Sequence, residues 1–477
     1  MVVLSLEFTL IEAVRIRGIK QRVESVSLQI TESVLSEYNA YLWKNYGVLM
    51  MDGDYGSLAE GVRWDVSQVR DRAYDFAERN TESNFYRMSC EDIEIKKYGV
   101  ITDQEGQAFI KQGAIAMETE IATSALKEWK QQVLTAQQDQ SKNIDMEELL
   151  IQGEEAVQQA KKEAEDSQDE PSAPAPTGTQ NSIEVTNPIK IMKEWKDNGI
   201  LSAVLKDVSD LSDVAMDITQ VVSRRELTQG TLQDLSQEQV YETLLYEQYL
   251  LRHFQSYVNP MGHEGMAYEL EYILCGKESD KANLEAVVER LVGMREVENY
   301  SAILLDEKKK AQALAMATSL AGASGNPAVI KAVELGVIAA WALMESILDV
   351  RLLLTGGKVP FIKTATEWTS DLYQLTNYLD VNVTAKECEG GLGYDHYMMA
   401  LLFLLPHKQL GLRPMDLMEY GLHQQEDYVN VRMDHMIYAA ELEYCYQSEP
   451  IFFSFIPNMQ QHTIYHFKQI RELSYLS

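Results

Sequence analysis

The sequence predicts a mainly helical α+β fold in which a small antiparallel sheet joins the two ends of the chain. Three observations support this prediction. Apolar residues recur at helical spacing over most of the 477 residues, two segments alternate apolar and polar residues as strands do, and these segments lie near opposite ends of the sequence. The residues between them are therefore expected to form a large helical insertion between sheet strands.

A long amphipathic helix is the first expected element. Apolar residues recur at steps of four and three from near the start of the chain, and Gly47 ends the pattern after about Tyr46. The apolar positions are Ile19, Val23, Val26, Ile30 and Val34. We assign Ile19, Val23, Val26 and Ile30 as interaction residues that form a helical packing stripe, without a catalytic role.

The first strand pattern follows this helix. Ile93 and Ile95 alternate with charged residues, a turn is expected at Asp103 to Gly106, and another helix is expected from about Gln107 to Gln137. Composition then changes. After an exposed amphipathic helix, the run DSQDEPSAPAPTGTQNS, from Asp166 to Ser182, is rich in Pro, Ser and Thr and predicts a flexible linker.

The second strand pattern lies in the tail. Three apolar residues alternate there with three polar ones, and IFFSFI follows a turn at Glu449 and Pro450. The alternating residues are Leu442, Tyr444 and Tyr446 with Glu441, Glu443 and Cys445. The chain is thus divided into an N-terminal part with a long helix and a strand, a helix with the linker, a helical domain, and C-terminal strands that pack with the N-terminal part. The boundaries are 1–137, 138–186, 187–435 and 436–477.

The cysteines leave two alternatives open. Cys90 and Cys445 each lie on the polar face of a predicted strand, so the two thiols could form a disulfide if the strands are neighbours in one sheet. Otherwise they are unpaired thiols on separate elements, since register is not determined by one sequence. The aromatic tail is likewise either core or an adhesive edge strand. Its aromatic residues are Tyr438, Tyr444, Tyr446, Phe452, Phe453 and Phe455.

Charge and composition exclude some classes of partner. The 42 basic and 73 acidic residues give a net charge of −31, which repels nucleic acid, so we expect no nucleic-acid binding. The four cysteines contain no CxxC pair, and no Walker, GxGxxG or GxSxG sequence occurs. The sequence therefore predicts no cofactor, no metal and no catalytic residue.

Three segments that contain histidine are candidates for chemistry, and a Cys or Ser nucleophile brought to a site by the fold stays open. His462 and His466, in HTIYH, have the spacing at which two imidazoles on one helix bind a metal, but Thr463 replaces the glutamate of HExxH. The GHEG sequence from Gly262 to Gly265 is better interpreted as a polar turn. Asp395 and His396 could form an acid/base pair, although Asp395 is better interpreted as a favourable charge in a first helical turn.

Two segments bear on the membrane. The apolar stretch from Pro327 to Leu354 carries five charged residues, which predicts a buried helix of a soluble protein and not a membrane span. At the start, FTLIEAVRIRGIKQR changes from apolar to basic within a few residues, as a helix does where it leaves a membrane. Its basic residues are Arg15, Arg17, Lys20 and Arg22. We expect an N-terminal anchor helix that is largely absent from this chain, and the chain as given to be soluble.

Several segments together resemble a family of unknown function from Gram-positive bacteria that is often encoded beside tight-adherence (Tad) pilus genes. They include LIEAVRIRG, ESVLSEYNAYLWKNYGVLMMD, NPIKIMKEWKDNGILSAVL, YELEYILCGKESDKANLEAVVERLVGMRE and GLGYDHYMMALLFLL. The resemblance implies a TadE/TadG-like architecture, with one N-terminal membrane anchor and the bulk of the protein outside the cell. It also implies pilus or envelope proteins as partners.

Two functions from different classes follow. The favoured one is a non-enzymatic cell-envelope protein that acts through protein contacts in Tad-type pilus assembly or surface display. The alternative is a secreted or surface hydrolase whose catalytic groups are brought together by the fold, with His396, His462 and His466 as the first suspects. An open cleft in which histidine and carboxylate groups converge would favour the hydrolase, whereas an extended apolar surface would favour the interaction protein.

Overall fold

The helices and strands of the chain form a small sheet region and a larger helical region. In a computed structural model, the described residues are 2–56, 64–81, 85–118, 130–131, 133, 145–166, 187–197, 199–232, 240–452 and 464–476. The strands are β1 (Met51–Asp52), β2 (Met88–Val100), β3 (Met436–Ser448) and β4 (Tyr465–Ser474). The α-helices are α1 (Val2–Leu35), α2 (Ala40–Tyr46), α3 (Ser67–Thr81), α4 (Asp103–Met117), α5 (Met146–Asp166), α6 (Pro188–Asp197), α7 (Ile200–Val204), α8 (Val240–His253), α9 (Glu269–Cys275), α10 (Asp280–Leu305), α11 (Glu307–Ala321), α12 (Pro327–Leu354), α13 (Tyr394–Leu402) and α14 (His407–His423).

The sheet confirms the predicted α+β class and the pairing of a strand near the N-terminus with the tail. β3 is the central strand, and it pairs antiparallel with β1, β2 and β4. The β2 pairing begins with Met88 opposite Ser448 and ends with Val100 opposite Ile437. The predicted strand at IFFSFI is not found where the structure describes it, because Ile451 and Phe452 lie in a bend, and β4 begins only at Tyr465.

The apolar stripe of α1 packs against one face of this sheet. Ile19, Val23, Val26 and Ile30 are each at most 3% exposed and share a core cluster with α3, β2 and β3. Polar contacts reinforce this packing, because Thr31 and Ser27 share hydrogen bonds of 2.9 and 3.2 Å with the hydroxyl groups of Tyr444 and Tyr446. The four predicted interaction residues thus make their contacts within the chain.

The first helix is shorter than predicted. It ends at Leu35, and the apolar pattern as far as Tyr46 belongs to a second helix, α2. The side chain of Asn39 accepts a hydrogen bond of 3.0 Å from the backbone N–H of Leu42, which is the geometry of a helix N-cap. A capping residue inside a continuous apolar pattern therefore separates the two helices.

The two candidate disulfide cysteines are free and lie on opposite faces of the sheet. Cys90 pairs with Tyr446, and paired residues of antiparallel strands point to the same face, so Cys90 shares the packed face of Tyr446. Cys445 precedes Tyr446 in β3 and therefore points to the opposite face. A register shift between Cys90 and Asp92, typical of a β-bulge, places Cys90 on the packed face.

The predicted turn at Asp103 to Gly106 is a left-handed one. Gln104, Glu105 and Gly106 have φ values of 51°, 60° and 87°, a conformation that residues with a Cβ atom adopt only at a cost. The turn packs against Gly411 of α14, where a Cβ atom would overlap the carbonyl oxygen of Glu105. Gly411 is therefore required by this close approach.

A buried charge network lies at the centre of the helical region. Asp349 and Glu345 of α12, Arg295 of α10 and Lys363 all have fully buried side chains. Arg295 Nε donates to Asp349 Oδ2 over 3.0 Å, and Lys363 Nζ lies 2.5 Å from Asp349 Oδ1 and also pairs with Glu345. The charged residues in the apolar stretch from Pro327 to Leu354 thus belong to a buried helix, as predicted.

Replacing one cation of this network is expected to destabilise the protein strongly. In Lys363→Met, Glu345 loses its cationic partner in the interior, and losing one partner of a buried ion pair typically costs about 3 to 5 kcal/mol. The matched control is Lys331→Met, which removes a pair with Glu334 from a side chain that is 61% exposed and should cost no more than about 1 kcal/mol. Urea unfolding measures both, and equal midpoints would contradict a structural role of the network.

Candidate functional site

The i, i+4 spacing of HTIYH would suit a metal pair on one helix, and the structure describes only the second of its two histidines. His466 lies in β4, an extended strand, so the helical spacing assumed for His462 and His466 does not apply. Its Nδ1 atom lies 2.9 Å from Glu91 Oε2 on the exposed side of the sheet. His462 is outside the described residues. Within the residues that are described, no group of three or more His, Cys, Asp or Glu side chains could hold a metal ion.

Asp395 and His396 begin α13, as the interpretation of Asp395 as a first-turn charge predicts. Asp395 accepts a hydrogen bond of 2.7 Å from the Asn259 side chain, and His396 is exposed. Burial raises the pKa of Asp395, and the bond from Asn259 partly opposes this shift. His396 lies in the helical region and His466 in the sheet region, so the structure places these two suspects on separate elements with separate neighbours.

The GHEG segment is a polar turn, as expected. Gly262 and Gly265 both have left-handed backbone angles, and the Gln255 side-chain oxygen accepts from the N–H groups of Met261, Gly262 and His263. The His263 ring lies 2.8 Å from a Glu269 oxygen. This histidine is therefore tied to a carboxylate that helps to hold the turn.

Arg15 has a structural role that sequence reasoning missed. Its side chain is buried, pairs with Glu12 at 2.7 Å, and donates to the carbonyl oxygens of Tyr86 and Glu449 and to the Ser448 hydroxyl. Arg15 thus joins α1 to the ends of β2 and β3. The interpretation of Arg15 as a cation at a membrane boundary is wrong. The spacing of Glu12 and Arg15 on one helical face was the available signal.

An exposed apolar surface lies at the start of α1, before the packing stripe. We define the N-terminal apolar surface as Val3, Leu4, Leu6, Leu10, Ile11 and Val14, whose exposed fractions range from 42% to 72%. The side of the helix that faces the protein is narrow: Phe8 is half-buried and stacks on Phe452 with ring centroids 5.9 Å apart, and Glu12 and Arg15 are buried. The six apolar residues occupy about half of the helix circumference.

Charged residues lie both within this surface and where it ends. Glu7 is the acidic residue among the exposed apolar positions, whereas Arg17 and Lys20 are exposed where the apolar residues end. Apolar residues are thus followed by basic ones along the exposed side of α1. Among the described residues, no helix is long and apolar enough to cross a membrane.

The comparisons with known proteins yield one match. A family described as "Family of unknown function (DUF5702)" matches residues 178–448, which is more than half of the chain. The matched part begins before α6 and ends with the last residue of β3. Neither a curated protein nor a solved structure matches the chain.

Replacing Arg15 tests its structural role. Arg15→Ala leaves Glu12 buried without its cation and should lower the free energy of unfolding by about 3 to 5 kcal/mol. Arg17→Ala, on the same helix with an exposed side chain, should change it by no more than about 0.5 kcal/mol. Thermal unfolding followed by circular dichroism gives both values. Equal stability of the two variants would show that the buried pair does not hold α1 in place.

Proposed function

Because this chain belongs to DUF5702, a family of unknown function, we propose its role from its own surfaces: it is a non-enzymatic cell-envelope protein. It is held at a membrane through the start of α1 and acts through protein contacts, in the setting of Tad-type pilus assembly or surface display. The N-terminal apolar surface is the observation that carries this proposal.

The number and position of the exposed residues favour lipid as the binding partner of the N-terminal apolar surface. Single exposed apolar residues are common on soluble proteins, but six on one side of one helix, even with Glu7 among them, form a surface of the kind that marks an interaction site. Full burial of a Leu or Val side chain contributes about 1.5 to 3 kcal/mol, so partial immersion of several provides a useful membrane affinity.

The charges around the patch support the same choice. Arg17 and Lys20 are placed to reach phosphate groups while the apolar residues before them enter the acyl region. The chain as a whole is strongly acidic, with a net charge of −31, and is repelled by an anionic bilayer. This distribution orients the molecule with the start of α1 toward the lipid.

Three of the histidines are paired with carboxylates. His466 faces Glu91, His263 faces Glu269, and His435 lies 2.6 Å from Asp54. The Asp54 and Glu269 pairs are buried or nearly so and serve turns and strand ends. The proposal accordingly assigns no catalytic residue.

Membrane binding is tested with neutral phosphatidylcholine vesicles in a flotation gradient. The wild-type protein should float with the vesicles, and the triple variant Leu6→Ser, Leu10→Ser, Val14→Ser should remain at the bottom, because the apolar contact with lipid is lost. Leu28→Ser is the matched control. Leu28 is on the same helix and is 44% exposed, but it lies outside the N-terminal apolar surface, so this variant should float as the wild type does.

Two outcomes of the flotation experiment would contradict the proposal. One is a wild-type protein that stays in the dense fraction at low and high salt. The other is a triple variant that floats as well as Leu28→Ser. Size-exclusion chromatography of the same proteins accompanies the gradient, because a surface that serves a second copy of the chain would instead give a dimer that the triple variant lacks.

The pilus setting is tested in the bacterium that encodes the chain. Deletion of the gene should reduce the amount of assembled pilin on the cell surface, measured by shearing and immunoblotting. The Leu28→Ser variant should restore it, whereas the triple variant should not, because it no longer reaches the membrane. Unchanged surface pilin in the deletion strain would remove the pilus from the proposal and leave the membrane contact to stand on the vesicle experiment.

A further inference from the structure

A cleft in the helical region is lined by glutamate side chains and by apolar side chains. The cleft is lined by residues of α5, α6, α7, α10 and α12 and encloses about 420 Å³. That volume lies within the range of small-ligand sites in proteins. It is remote in sequence from the N-terminal apolar surface, and all of its lining residues except Glu147 lie in the part of the chain that matches the family.

Acidic side chains dominate the polar part of the cleft. Glu285, Glu289 and Glu296 reach it from α10, and Glu147 reaches it from α5. The cation among the lining residues near them, Lys196, is bound to Glu147 at 2.8 Å. The three glutamates of α10 make no hydrogen bond and no ion pair with the described part of the chain. The cleft thus offers negative charge that the described residues leave unmatched.

Glu296 is the most informative of these residues. Its side chain lines the cleft, yet the residue is only 8% exposed. Its carboxylate makes no hydrogen bond with the described residues and faces the cleft, although proteins ordinarily pair a group with so little exposure. Burial raises the pKa of Glu296 to about 7, with Lys196 acting in the opposite direction. A group kept in this condition at the wall of a cavity is suited to receive a positive charge from a ligand.

The remaining walls specify what kind of cation fits. Trp195, Leu343 and Ile347 give the cleft an apolar side. Arg351 already lies over the Trp195 ring, 5.2 Å from its centroid, so that ring is a hydrophobic wall more than a free cation–π platform. The carboxylates do not gather into a group that could hold a metal ion anywhere in the described residues. An alkyl chain that ends in an ammonium group matches both the acidic and the apolar side.

We propose that this cleft binds an alkylammonium group, presented by a lysine side chain of a peptide or by a free polyamine, with Glu296 as its main counter-ion. Glu285 and Glu289 add negative charge at the mouth, and the apolar wall contacts the alkyl arm. The ammonium donates hydrogen bonds to the Glu296 carboxylate, which then has the partner that the protein alone does not supply.

Isothermal titration calorimetry with three probes tests the site on the full chain. Cadaverine represents the free amine, Nα-acetyl-lysine amide represents the peptide, and Nα-acetyl-norleucine amide has a similar alkyl arm without the charge. At least one of the two amines should bind, and the norleucine compound should not. Whichever amine binds more tightly identifies the source of the ammonium group.

Variants locate the binding. Glu296→Gln should weaken amine binding at least about tenfold, because a charge-assisted hydrogen bond becomes a neutral one. Glu289→Gln, which changes an exposed side chain, should weaken it less. Glu307→Gln on α11 is the control, since its side chain is 86% exposed and lies outside the cleft, and it should bind as the wild type does. Without ligand, Glu296→Gln should melt at or above the wild-type temperature, because an unpaired buried charge has been removed.

Several results would overturn the site. They are the absence of binding by both amines, equal binding of the norleucine compound, and amine affinities of Glu296→Gln and Glu289→Gln equal to that of the wild type. A Glu296→Gln protein that fails to fold would show that the carboxylate serves the fold, and the Glu289→Gln affinity then decides alone. None of these outcomes depends on membrane binding, so this inference and the proposed function stand or fall separately.

Discussion

The buried network of Glu345, Asp349, Arg295 and Lys363 is the constraint on which the helical region depends. Two anions and two cations meet with no exposure to solvent, so the network as a whole is neutral. Each charge would be costly alone in this interior. α10 and α12 therefore pack stably only when the segment that carries Lys363 lies against them. Glu345 extends the constraint further, since it also accepts hydrogen bonds from the backbone N–H groups of Thr369 and Ser370.

The same network determines how α10 faces its surroundings. Arg295 points into the interior, so the next residue, Glu296, is rotated by about 100° and reaches the neighbouring cleft. Val292 and Glu289, which precede Glu296 at helical spacing, line the cleft from the same side of α10. An internal ion pair and an acidic cavity wall are thus two sides of one helix, and the orientation of the second follows from the first.

The periodicity of apolar residues was sufficient to predict the fold class. It was also sufficient for those elements whose buried face can be recognised from their own residues. The stripe from Ile19 to Ile30, the buried character of the helix that ends at Leu354 and the turn at Gln104 were all predictable, since spacing and composition report them locally. The break at Asn39 was not predictable, because the apolar spacing is compatible both with one continuous helix and with two helices separated by a capping residue. The backbone geometry shows that there are two helices.

Contacts between distant residues were beyond prediction for a different reason. The position of Cys90 depends on a register shift against β3, and Arg15 is buried only because the ends of β2 and β3 arrive beside it. One sequence contains no information on such pairings. The sequence shows that the start of α1 is apolar, but it does not show that these side chains are exposed. The unpaired state of Glu296 likewise required knowledge of every neighbour.

The central place of β3 has a consequence for the order in which the protein can be completed. Translation proceeds at about 5 to 20 residues per second, so the ribosome needs on the order of tens of seconds to pass from β2 to β3. During that interval the stripe of α1 has no sheet to cover, and β2 has no partner strand. While the helical region folds, the apolar stripe of α1 and the unpaired edges of β2 are exposed to non-native contacts. The sheet can therefore form only near the end of synthesis. A chain truncated before β3 would lack the central strand that β1 and β2 pair with.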